Sequence, residues 1–191
     1  MGVVAPVSGV GAALLPVIVG VALGERPSVL VWVGIAAAFP AIWMVSRDPG
    51  TPGAAGSAGL VDGVLAGLGF GLLFVALSRV SEDAGLLPLA LNQAVGGVVI
   101  IAIAVALKQP WLPREPRAAL GVTSGLLGAL ATGLFMVASQ GGHLTVTAVV
   151  VSLYPAFTVV LAALLLRERV HRTQAIGLAI CAISVALVAA G

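Results

Sequence analysis

The sequence predicts an all-α membrane protein, a polytopic bundle of about seven transmembrane helices. Of its 191 residues, 60% are hydrophobic and only 8% are charged, and the mean hydropathy is +1.19. A water-soluble domain carries about 25% charged residues. The nine basic and seven acidic side chains are too few to cover a soluble globule of this length, so lipid must be the main solvent.

Apolar stretches separated by charged residues define the predicted spans. Each stretch is close to the ~20 residues that cross a bilayer as a helix. Each must be helical, because a backbone in hydrocarbon has to satisfy its hydrogen bonds within the segment. The seven stretches cover about residues 3–24, 28–46, 59–79, 85–107, 118–139, 144–166 and 173–190.

Composition excludes several functional classes. The basic residues are scattered, so we expect no nucleic-acid partner. The single Cys181 provides neither a disulfide framework nor a cysteine metal site. An intramembrane serine hydrolase centred on Ser124 would need a histidine within hydrogen-bond reach. Both His143 and His171 lie outside the spans, so we expect no enzyme, no metal and no cofactor.

An internal repeat divides the chain. Residues 3–45 align with residues 146–188 without gaps, and the identities that carry the alignment are Glu25 with Glu168, Arg26 with Arg169, and Gly34 with Gly177. The repeat predicts that residues 1–47 are the last two helices of a first unit and that residues 59–191 are a complete five-helix unit. Residues 48–58, rich in Gly and Pro, are the predicted flexible linker. We expect both glutamates to pair with neighbouring arginines at the helix ends.

Two glycine ladders predict close helix packing. Helices associate in lipid where small residues let their backbones approach. Gly63, Gly67 and Gly71 recur at four-residue spacing on the third span, and Gly121 and Gly125 do so on the fifth. Static packing and sliding between moving helices both fit this pattern.

A proline and a polar stripe mark the sixth span. Pro155 can bend the helix, because it lacks an N–H group. Thr147, Tyr154 and Thr158 lie on one face at helical spacing. Interrupted helices with polar faces form the central sites of transporters. The stripe therefore either lines a substrate cavity or forms hydrogen bonds between helices.

Two amide side chains lie deep in the fourth span. Asn92 and Gln93 are the most polar residues in any predicted helix interior. Amides at this depth serve either as hydrogen-bonding contacts between helices or as substrate contacts. Both interpretations stay open.

Residues 148–191, with SLYP in the first helix and Glu-Arg at the turn, resemble the last two helices of an EamA-type repeat in the drug/metabolite transporter superfamily. Residues 3–46 resemble the same two helices of a preceding repeat. The resemblance implies two inverted five-helix repeats with a substrate cavity between them. It places Ser152, Tyr154 and Pro155 on a helix beside that cavity and Asn92 on another. It also implies that three helices of the first repeat lie outside this chain.

These features predict a carrier of small metabolites or drugs that works by alternating access, with the lipid bilayer and a small-molecule substrate as its partners. The alternative is a non-transporting membrane subunit, or a truncated remnant of such a carrier. The three absent helices could come from another copy or from a separate chain. Arginine outnumbers the single Lys108, and Ala, Gly and Val are abundant, which is typical of a GC-rich bacterial genome. We therefore expect a multi-pass protein of the bacterial inner membrane.

Overall fold

The computed structural model describes residues 4–46, 57–109, 120–141, 143–165, 167 and 170–191. Within these ranges, seven helical segments are long and apolar enough to cross a membrane, which confirms the predicted fold class. Most of the predicted linker, and the Glu168–Arg169 pair, lie outside the described residues. The helices are α1 Val4–Ala22, α2 Val29–Ser46, α3 Ser57–Ser78, α4 Leu87–Ala106, α5 Leu120–Gln140, α6 Leu144–Ser152, α7 Tyr154–Leu165 and α8 Arg172–Ala190, with a short 3-10 turn at Glu82–Ala84 before α4.

The sixth span is interrupted, where the sequence had predicted one stretch over residues 144–166. It forms α6 and α7, which are separated at Leu153. The cause is Pro155, whose ring collides with the carbonyl group four residues earlier and which has no N–H group to donate. Pro16 and Pro40 lie inside α1 and α2 without interrupting either helix.

The contact between α2 and α8 is reciprocal. A Cβ atom on Gly34 would lie 2.7 Å from Cγ2 of Val188, and a Cβ atom on Gly177 would lie 2.7 Å from Cγ2 of Val45. The two glycines occupy corresponding positions in the sequence repeat, and so do the two valines. Such an exchange of partners is what a two-fold axis produces. The axis passes between α2 and α8.

The glycine ladder of α3 lies against α1. A Cβ atom on Gly67 would lie 3.0 Å from Cα of Gly11 and 3.1 Å from the carbonyl oxygen of Ser8. Gly63 and Gly71 meet the side chains of Val7 and Leu15, one turn away on either side. The two backbones can approach this closely only because α3 has no side chains along this stripe.

The second predicted ladder has no neighbour in the part of the chain that the structure describes. Gly121 and Gly125 on α5 are exposed, and no described atom outside their own helix lies within 4 Å of the position that a Cβ would take. Their role in packing stays a prediction.

The main core lies between α1, α2, α6, α7 and α8. Its buried members are Ala13, Val17, Val31, Ile35, Ala38, Ala41, Ile42, Val45, Val149, Leu153, Ala156 and Cys181. By contrast, α4, which is described throughout, has no buried residue. It touches α5 where Leu89 meets Gly133. The bundle therefore has a compact centre and a peripheral fourth span.

Replacing Gly67 by Leu is expected to destabilise the protein, because the new side chain would overlap the backbone of α1. Overpacking of this kind costs about 1–3 kcal/mol. Gly69→Leu is the matched control, since no described neighbour lies within 4 Å of its Cβ position. Thermal unfolding in detergent should show a lower Tm for the Gly67 variant and little change for the Gly69 variant. Equal Tm values would contradict the α1–α3 packing.

Two buried serines are expected to respond in opposite ways to replacement by alanine. The Ser184 hydroxyl donates a 2.7 Å hydrogen bond to the carbonyl oxygen of Gly34. The Ser152 hydroxyl is buried and has no partner among the described residues. Removing a satisfied bond costs about 1 kcal/mol, whereas removing an unsatisfied buried hydroxyl is neutral or stabilising. Tm should fall for Ser184→Ala, and it should stay unchanged or rise for Ser152→Ala. A similar loss in both variants would show that Ser152 has a partner.

Candidate functional site

A cavity of about 220 Å³ lies where α1 and α8 begin, α2 ends and α7 follows the helix interruption. Most of its lining is apolar, and hydroxyl groups and one amide supply the polar atoms. We call it the first cavity; its lining residues are Ala5, Val45, Ser46, Tyr154, Pro155, Thr158, Val159 and Gln174. A small cargo could be held there mainly by apolar contact, with a few hydrogen bonds to orient it.

The helix interruption supplies one wall of the first cavity. Because α7 begins directly after Leu153, its first turn presents Tyr154, Pro155 and Thr158 to the space. The Thr158 hydroxyl donates a 3.2 Å hydrogen bond to the Tyr154 carbonyl oxygen on its own helix, as threonines in helices often do. Tyr154 is 45% exposed and is one of the lining residues.

The lining of the first cavity also includes a buried polar atom. The Ser46 hydroxyl oxygen, at the end of α2, is buried and has no hydrogen-bond partner within the described structure. The side-chain carbonyl oxygen of Gln174, another lining residue, accepts a 3.1 Å hydrogen bond from the backbone N–H of His171. Ser46 and Gln174 were not predicted as cavity residues, because nothing in the sequence indicates that the end of α2 meets the start of α8.

The predicted polar stripe does not act as one surface. Tyr154, Pro155 and Thr158 lie together in the first cavity. The Thr147 hydroxyl instead donates a 3.4 Å hydrogen bond to the carbonyl oxygen of Ala138 on α5. The interruption at Leu153 separates the two halves of the stripe.

The other predicted cavity residues lie outside the lining. Ser152 is fully buried in the core behind the cavity wall. Asn92 and Gln93 lie on the peripheral α4, where the Asn92 amide donates a 3.3 Å hydrogen bond to the Gln93 side chain. The structure brings neither amide near the first cavity's lining residues, so their role in substrate contact stays a prediction.

A second cavity, of about 410 Å³, lies at the opposite end of α2. Its lining residues are Glu25, Arg26, Pro27, Ser28, Val31, His143, Val146, Val188 and Gly191. In contrast to the first cavity, it contains charged groups. Since α2 runs from one cavity to the other, the two cavities lie at opposite ends of the same bundle.

The sequence repeat relates residues in the two cavities. Val31 and Val188 line the second cavity, and their counterparts in the repeat, Gln174 and Val45, line the first. The glycine contacts between α2 and α8 follow the same two-fold relation. Two residues of each cavity therefore occupy corresponding positions in the predicted repeat.

Glu25 joins the turn after α1 to the start of α6. Its carboxylate accepts hydrogen bonds of 2.8 Å from the backbone N–H of Leu144 and of 3.0 Å from that of Thr145. The first N–H groups of a helix have no partner within the helix, and a carboxylate there is favoured by the helix dipole. The expectation that Glu25 would pair with a neighbouring arginine overlooked this interaction, because its partners lie far along the chain.

The turn that positions Glu25 is a Schellman motif. Gly24 has φ of +100°, a conformation that glycine adopts without strain. The Gly24 N–H bonds the carbonyl oxygen of Val21 at 3.0 Å, and the Glu25 N–H bonds that of Gly20 at 3.0 Å. A Cβ atom on Gly20 would collide with both the Glu25 carboxylate and the Thr145 hydroxyl. Gly20 and Gly24 together let the carboxylate reach α6.

Comparison with known proteins agrees with this architecture. The EamA-like transporter family matches residues 57–190, from the start of α3 to the end of α8 and more than two thirds of the chain. No curated protein and no solved structure is similar enough to the chain to count as a match. The family is one of transporters, and it belongs to the drug/metabolite transporter superfamily. The chain is therefore a multi-pass membrane protein and a member of the EamA-like transporter family.

Proposed function

We propose that this protein carries small uncharged molecules, metabolites or drugs, across the membrane by exposing its two cavities in turn. The observation that carries the proposal is the pair of cavities at opposite ends of one bundle in a member of a transporter family. Inverted repeats commonly produce such a pair, with the substrate path at the repeat interface.

A packed layer separates the two cavities. Ile42, Val149 and Leu153 are almost fully buried in the main core, which also contains Val45 of the first cavity and Val31 of the second. A molecule can pass only if this layer opens, and the interruption at Leu153 supplies the place where α6 and α7 can move relative to each other. Broken helices have this role in other transporter folds.

The lining of the first cavity supports an uncharged cargo. Its described lining residues include no carboxylate, guanidinium, ammonium or imidazole group. Among these described lining residues an ionised cargo would lose hydration and find no counter-charge, which is costly. Tyr154, Thr158 and Gln174 could still orient a neutral molecule through hydroxyl or amide groups.

The composition supports a bacterial cytoplasmic membrane as the location. Arginine is used far more than lysine, and Ala, Gly and Val dominate the spans. In this setting the cargo would move between the cytoplasm and the space outside that membrane.

A second candidate function is that of a non-transporting membrane subunit. The observation that favours it is α4, whose Asn92 and Gln93 amides are bonded to each other on a helix with no buried residue among those described. Polar groups in lipid favour a partner helix. A further copy of this chain, or a separate chain, could supply that partner.

Uptake into liposomes containing only this chain distinguishes the two functions. A panel of tritiated solutes should be tested as pairs of equal size, each neutral amide matched with its carboxylate, such as N-acetylphenylalaninamide with N-acetylphenylalanine. A carrier should admit at least one neutral solute faster than protein-free liposomes do, without admitting its charged counterpart. Uptake of no solute above background would favour the subunit, and faster uptake of the charged members would contradict the proposed cargo.

Replacing Tyr154 by Ala should slow the uptake of a transported solute roughly tenfold, because an aromatic contact with the cargo is lost. Phe157→Ala is the matched control, since Phe157 lies on the same helix, is 70% exposed and does not line the cavity. Initial rates for this control should stay within about twofold of the parent. If both variants lost the same activity, the first cavity would not be the binding site.

A further inference from the structure

α6 takes its N-terminal cap from a different part of the chain. Its own preceding residue, His143, makes no side-chain capping bond. The Glu25 carboxylate, on the turn between α1 and α2, binds the N–H groups of Leu144 and Thr145 instead. If α6 moved away from that turn, it would lose its cap.

α6 is a short helix that the interruption separates from α7. It spans nine residues and ends at the interruption at Leu153. Its first turn borders the second cavity, where Glu25, His143 and Val146 are lining residues. A shift of α6 relative to the α1–α2 turn would therefore change access to that cavity.

A buried hydroxyl group on α6 opposes the contact between α6 and the α1–α2 turn, which we call the docked position of α6. Thr145 is fully buried, and its hydroxyl has no hydrogen-bond partner among the described residues. It lies against Gly20, on the same surface as the Glu25 carboxylate. Docking of α6 gains the cap but leaves this hydroxyl unsatisfied, and undocking would reverse both effects. A reversible contact requires opposing terms of this kind.

We propose that Glu25 is a latch that holds α6 against the α1–α2 turn and so controls access to the second cavity. Glu25 is a positioning residue in this proposal, since it acts by holding α6. This proposal rests on the proposed function in one respect only: control of access to the second cavity would serve transport. The experiment below measures the latch without a cargo, so the latch and transport can fail separately.

The test measures the reactivity of a cysteine placed at Val146 in the protein reconstituted in lipid nanodiscs, where both membrane faces are open to reagent. The probe is a membrane-impermeant maleimide. The parent protein, whose one cysteine, Cys181, is buried, gives the background. Adding Glu25→Gln should raise the labelling rate of Val146→Cys roughly tenfold, the shift expected from losing a helix cap. The matched control is Glu82→Gln, an exposed carboxylate in the 3-10 turn before α4.

A second variant changes the opposing group without touching Glu25. Thr145→Val replaces the unsatisfied hydroxyl with a methyl group of the same size and should slow the labelling of Val146→Cys several-fold. A capping role that is only structural would not predict this decrease, since α6 would not undock. Labelling unchanged by Glu25→Gln, or raised equally by Glu82→Gln, would overturn the proposal. If the Glu25 variant failed to fold, Thr145→Val would decide alone, and an unchanged or faster rate would overturn it.

Discussion

Close approach of helix backbones at glycine is the interaction on which the structure depends. In lipid, apolar side chains gain nothing by leaving the solvent, so helices associate where their surfaces fit closely. Gly67 lets α3 reach the backbone of α1. Gly34 on α2 and Gly177 on α8 let these two helices pack so that each glycine contacts a valine of the other helix. Gly20 does the same at the end of α1, where it admits the Glu25 carboxylate and the start of α6. Each of these contacts would be lost if a side chain were added.

The two cavities lie at opposite ends of α2, one beside the start of α8 and the other beside its end. The two ends are chemically different. The first cavity is mostly apolar and includes Tyr154 and Gln174, whereas the second includes Glu25 and Arg26. The two cavities therefore offer different chemical environments to a small molecule.

Much of the fold could be predicted from the sequence, because the bilayer imposes strong rules. The seven spans follow from hydropathy, whereas the sixth was predicted as one stretch that Pro155 can bend and is instead divided at Leu153. The site was less predictable. Tyr154 and Thr158 were identified from helical spacing and line the first cavity, whereas Thr147, from the same predicted stripe, bonds to α5. The capping role of Glu25 depends on a contact between distant residues, for which a single sequence gives no signal.

Alternation between the two cavities is the central claim, and hydrogen exchange tests it most directly. A short bismaleimide would join cysteines placed at Ser46 and Gln174, so that the mouth of the first cavity is held closed. Backbone exchange would then be measured across residues 25–31 and 143–149, which border the second cavity. The account predicts faster exchange there in the cross-linked protein than in the same protein without the cross-linker. Unchanged or slower exchange would show that the two cavities open independently and would contradict the account.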